Sequence, residues 1–155
     1  PAIPRVGSLF TDRDCTMSTD PKKRFLNTIL RKFVTANPEL ASASVMTKDG
    51  IMLSAVTEHG INHDRLGAMG SSILSLANRV SHELKKGDVK QNIINSEQGL
   101  VVITGLSSHA VVVVTCLDGS KLGKVINLSN SLVKNIIASN KTLEIIPLDA
   151  IDAFV

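Results

Sequence analysis

A chain of 155 residues, 43% hydrophobic and 20% charged, holds enough apolar side chains for one ordinary domain whose core needs neither disulfides nor a metal. Four Phe and no Tyr or Trp make that core aliphatic and leave almost no stacking platform for single-stranded nucleic acid. The formal charge of +3 includes a basic cluster at Lys22, Lys23, Arg24, Arg31 and Lys32, which reads as a solvated helix face. No nucleic-acid partner is expected.

The two cysteines, Cys15 and Cys116, are far apart and form no CxxC pair, so neither a disulfide framework nor a zinc site is indicated. Cys116 ends an apolar run and reads as a buried, inert thiol. No apolar stretch approaches the ~18–20 residues of a membrane span, and direct membrane insertion is not expected. Residues 1–16 lack the apolar centre of a signal peptide, which points to a cytoplasmic protein. Met17-Ser18-Thr19 reads as a natural start, with residues 1–20 as an N-terminal extension.

The first helix begins at Pro21, with Asp20 as N-cap, because proline at the first helical position gives up no hydrogen bond it needed. Phe25, Leu26, Ile29, Leu30, Phe33 and Val34 form its apolar face, and Asn37-Pro38 stops it. Ser42–Thr47 and Ile51–Val56 flank Lys48-Asp49-Gly50, a strong hairpin signal. A loop containing Gly60 leads into a long helix over about Asp64 to Lys86.

That helix carries two stripes. Leu66, Met69, Ile73, Leu76, Val80 and Leu84 recur at helical spacing and suit packing on a sheet. Beside them run Gly67, Gly70, Leu74, Ala77 and Ser81. Two glycines inside a helix cost about 0.8–1 kcal/mol each relative to alanine, a cost offset only where another backbone comes close. That backbone belongs either to the domain's own sheet or to a second copy.

Gly87-Asp88 ends the helix. Lys90–Ser96 is a polar strand suited to a sheet edge. Leu100–Thr104 and Ala110–Cys116 are almost continuously apolar, as expected of central strands covered on both faces. A last helix covers about Lys121 to Ser139. The order α-β-β-α-β-β-β-α predicts a layered α+β domain over residues 21–140, with a mostly antiparallel five-stranded sheet and helices on both faces. Residues 141–155 form an acidic and apolar tail that either packs back on the domain or docks into a partner's groove; back-packing or partial disorder is favoured.

Few residues suit chemistry. Gly119-Ser-Lys-Leu-Gly123-Lys124-Val125 sits between strand and helix as a phosphate-binding loop would. Its glycines, however, enclose three residues rather than four, and Val125 stands where a magnesium-binding hydroxyl is needed. His59, His63, His82 and His109 lack neighbouring ligands at metal-binding spacing. With no acid/base pair and no nucleophile elbow, the chain reads as a non-enzyme without cofactor or metal.

Three segments carry a resemblance. They are Val45-Met-Thr-Lys-Asp-Gly50-Ile-Met-Leu-Ser-Ala55, Leu66-Gly-Ala-Met-Gly70-Ser-Ser-Ile-Leu-Ser-Leu-Ala77, and the Leu122-Gly123-Lys124-Val125-Ile126 step into the last helix. From Phe25 to Ser139 the chain resembles the Roadblock (dynein light-chain type) family, especially its bacterial members. The resemblance implies a homodimer made by pairing third strands edge to edge and second helices side by side. Gly67, Gly70, Leu74, Ala77 and Ser81, with Gln91, Ile93 and Asn95, would then lie at the seam. It also implies a regulator of a Ras-like small GTPase, acting on the switch loops without an arginine finger, or a dimeric scaffold with no effect on hydrolysis. A pocket between sheet and helices that senses a small molecule is a third reading.

Overall fold

The computed structural model describes residues 20–118 and 121–143. In chain order the elements are α1 (Pro21–Ala36), β1 (Leu40–Thr47), β2 (Met52–Val56), α2 (His63–Glu83), β3 (Gln91–Ser96), β4 (Gly99–Gly105), β5 (Ala110–Cys116) and α3 (Leu122–Leu143). This is the expected α+β order. α3 runs four residues past the expected end at Ser139, because Asn140 is a fully buried helical residue rather than a stop.

Local chemistry sets the first boundaries. The Asp20 carboxylate accepts a hydrogen bond from the Lys22 backbone N–H at 3.0 Å, and Pro21 occupies the first turn. Leu26, Leu30 and Val34 are buried at four-residue spacing along the inner face of α1. The Asn37 N–H then closes the helix on the Val34 carbonyl.

The sheet order is β2-β1-β5-β4-β3, every pair antiparallel. The apolar strands β4 and β5 lie inside, and polar β3 is an edge, as its composition demands. Since partners across an antiparallel ladder share a face, register sorts the side chains into two layers. Val45, Val102, Val112 and Val114 face α1 and α3, where they meet Leu30, Val125, Leu132 and Ile136. Met46, Ile103, Val111 and Val113 face the other way, onto Leu74 of α2. Helices therefore cover both faces.

One polar chain ties the β3 edge to α3. The Gln91 amide donates to Thr104 Oγ1 at 2.8 Å, and Thr104 Oγ1 lies 2.7 Å from Ser129 Oγ. Thr104 and Ser129 are buried, so each needs the other.

α2 starts at Asn62, whose side chain accepts from the Arg65 N–H at 2.9 Å. It crosses the hairpin turn between β1 and β2, where Gly67 packs directly on Gly50. Gly50 has φ of +95°, a backbone that glycine adopts without strain. A Cβ on Gly67 would collide with the Gly50 carbonyl oxygen and stand 3.0 Å from its carbon. A Cβ on Gly70 would meet only the far end of Met46, with Cε at 2.5 Å and Sδ at 3.3 Å. The Ser71 hydroxyl donates to the Lys48 carbonyl at 2.7 Å and locks the same crossing.

Gly67→Ala should therefore destabilise the domain by about 3 kcal/mol, because backbone must move to admit the methyl. Gly70→Ala should stay within about 1 kcal/mol of the parent, since the helix-propensity gain of ~0.8–1 kcal/mol offsets a shift of Met46. Urea unfolding of both variants checks the difference; equal losses would mean that no tight backbone crossing exists at Gly67. Thr104→Val should cost about 1–2 kcal/mol by stranding the buried Ser129 hydroxyl, which the same titration measures.

Candidate functional site

The two stripes of α2 take faces opposite to one part of the sequence expectation. Gly67, Gly70 and Leu74 are the buried residues of this helix, and they pack on the domain's own hairpin and sheet. Within the chain, the expected seam residues Gly67 and Gly70 meet the Gly50 backbone and the Met46 side chain respectively. Ala77 and Ser81 are half-buried on the same side, and the Ser81 hydroxyl donates to the Gly87 carbonyl at 2.6 Å.

The larger stripe, expected on the sheet, faces outward. Met69, Ile73, Leu76, Val80 and Leu84 are all exposed, Leu76 at 62% and Leu84 at 63% of their full surface. Only Leu66 of that stripe is half-buried. Five large apolar side chains in a line on one exposed helix face form a contiguous patch, which marks an interaction site more often than scattered apolar residues do. The sequence signal for it was present. A glycine stripe about 100° around the helix from a large apolar stripe leaves one of them outside when a single sheet lies below.

β3 supplies the second element. Gln91, Ile93 and Asn95 lie on this edge strand and pair with Thr104, Val102 and Leu100. Their side chains therefore share the α3 face of the sheet. Ile93 is 42% exposed and Asn95 is exposed, whereas Gln91 is half-buried on Thr104. The outer side of β3 has no strand partner among the described residues. The loop between α2 and β3 holds the two elements together: Asn78 Oδ1 accepts from the Val89 N–H at 2.9 Å, and His82 Nε2 lies 2.8 Å from the Asp88 carboxylate.

Several residues that invited catalytic or metal readings have structural uses. The Lys124 ammonium bonds to Glu39, and this hydrogen bond holds the half-buried Glu39 carboxyl below its ordinary range. The contact joins the start of α3 to the start of β1. Gly119 and Ser120 of the phosphate-loop look-alike lie outside the described residues. His63 Nε2 is 2.8 Å from Thr57 Oγ1 and staples the loop before α2. Cys116 is buried, with its thiol donating to the Asp118 carbonyl. Cys15 and the tail from residue 144 onward lie outside the described residues, and no helix among those described is long and apolar enough to cross a membrane.

Comparison with known proteins places this arrangement. No functionally curated protein matches the chain. Among solved structures, Myxococcus xanthus MglB is similar with a TM-score of 0.70 and 13% identity, covering 82% of this chain and 96% of that one. A Roadblock/LC7 domain from Streptomyces avermitilis is 26% identical, with a TM-score of 0.55, over 71% of this chain and 96% of that one. An MglB in a tetrameric arrangement has a TM-score of 0.64 at 14% identity, over 76% and 88% of the two chains. The family model for the Roadblock/LC7 domain matches residues 26–115, which run from the buried face of α1 through β5 and include both glycine contacts of α2. The chain belongs to the Roadblock/LC7 domain family.

Proposed function

We propose that this protein is a non-catalytic, cytoplasmic homodimer that regulates a Ras-like small GTPase. The observation that carries the self-pairing is the outward stripe of α2, Met69, Ile73, Leu76, Val80 and Leu84, held beside the open edge of β3. Each of these side chains, if fully covered, contributes about 1–2 kcal/mol. A two-fold axis between two copies covers both stripes at once, because the same patch meets itself. The open edge of β3 gains a ladder in the same step, with Ile93 and Asn95 in the joined sheet. The MglB recorded in a tetrameric arrangement shares the fold and supports self-association as a habit of this architecture.

The GTPase part rests on what the Roadblock resemblance implies, and membership of the Roadblock/LC7 domain family supports it. In this reading the dimer binds the switch loops and holds one of their arrangements. The effect is a shift of populations, and its size is bounded by the difference in affinity for the two arrangements. No side chain of the dimer has to enter the reaction.

Two measurements test this. Leu76→Glu and Val80→Glu alter exposed positions, so the fold should survive while the self-association constant weakens by at least about thirtyfold, or ~2 kcal/mol. Analytical ultracentrifugation reads the mass, with circular dichroism to confirm the fold; an undisturbed dimer would remove the α2 stripe from the interface. GTP turnover by a Ras-like GTPase from the same source should rise when the parent protein is added and rise less with Leu76→Glu. Binding without any change in turnover would make the protein a scaffold, and no binding to such a GTPase would end the GTPase reading.

A further inference from the structure

A second feature lies beneath the C-terminal half of α2, apart from its outward stripe. A cavity of about 220 Å³ opens there between the helix, the turn joining β4 to β5, and the start of β3. This is smaller than a drug-sized site yet larger than the ~150 Å³ that holds a benzene ring. Its floor is apolar: Leu74, Ile103 and Val111 are nearly or fully buried. Its rim is rich in donors. The Lys90 ammonium has no hydrogen-bond or ion-pair partner among the described residues, and neither does the Ser108 hydroxyl. Asn78 engages the Val89 N–H through its carbonyl oxygen, and its amide hydrogens face no acceptor among the described residues. Lys48 also lines the cavity and adds a second positive charge. The one carboxylate on the rim, Asp88, is already in contact with His82.

An apolar floor under a rim that carries the Lys90 ammonium and the Ser108 hydroxyl selects an occupant that is aliphatic at one end and an acceptor at the other. We infer that this cavity binds a small organic anion, a carboxylate or phosphate monoester carrying a short branched aliphatic group. The hydrocarbon end displaces water from Leu74, Ile103 and Val111. The anionic end takes charge-assisted hydrogen bonds from Lys90 and Ser108. Because Asn78, Asp88 and Gln91 belong to α2, the loop and β3 in turn, with Lys90 just before β3, the ligand bridges the joint between these elements. The inference stands whether or not the domain acts on a GTPase.

The test uses the full chain with ¹³C-labelled Ile, Leu and Val methyl groups, followed by NMR. It is titrated separately with 4-methylpentanoate, 3-methylbutyl phosphate, 4-methylpentan-1-ol and acetate. At least one of the two branched anions should move the Leu74, Ile103 and Val111 signals saturably, with Kd below about 10 mM. Response to the carboxylate or to the phosphate alone identifies the class. Lys90→Ala, at an exposed position, should raise that Kd roughly tenfold. Ser108→Phe, which crowds the mouth from a turn without touching the floor, should abolish the shifts, and Lys32→Ala on α1 should leave them unchanged. No saturable shift with either anion, an equal response to the alcohol or to acetate, or an unchanged Kd in Lys90→Ala would overturn the inference.

Discussion

The architecture turns on one contact, the packing of Gly67 on the backbone of Gly50 where α2 crosses the first hairpin. Two glycine backbones come so close that no side chain fits between them. That closeness sets the height of α2 above the sheet and its rotation about its own axis. With Gly67 and Gly70 facing down, Leu74 is the one large residue of the helix that reaches the core beneath it. Met69, Ile73, Leu76 and Val80 are turned away from their own sheet, while Leu66 and Ala77 are half-buried. A helix resting on glycines thus buries less apolar surface than its composition offers.

This explains why the monomer carries an exposed line of Met69, Ile73, Leu76, Val80 and Leu84. The opposite side of the sheet shows the contrast. There α1 and α3 place Leu26, Leu30, Val34, Val125, Leu132 and Ile136 against the sheet with little left outside. The two layers do different jobs. One closes the core, and the other covers it with a narrow footing while presenting apolar surface outward, beside the open edge of β3. The same shallow crossing leaves room under the C-terminal half of α2 for a cavity with an apolar floor and a donor-rich rim.

Much of the fold was legible from local pattern. Asp20-Pro21 and Asn37-Pro38 bracket α1 by capping and backbone restriction, and the Asp49-Gly50 turn marks the first hairpin. Ala110–Cys116 could be read to the residue, because a continuous run of β-branched apolar residues between turn signals has few other uses. The polar pattern of β3 foretold its place at an edge. The site was less legible. Periodicity separates the stripes of α2 but says nothing of which one faces inward, and residue size alone pointed the larger stripe at the sheet.

What the amino-acid sequence determined by itself was the order of elements, the antiparallel hairpins, the membership of the core strands and the presence of two distinct faces on α2. These follow from interactions within a few residues: caps, turn conformations and the repeat of apolar side chains. Only the tertiary structure decided that Gly67 meets Gly50, and with it the outward direction of the apolar stripe. Those residues are seventeen positions apart, and their contact depends on the path of α2 across the hairpin. The choice between two apolar faces belongs to that path, because the hydrophobic effect has no direction and rewards burial of either one.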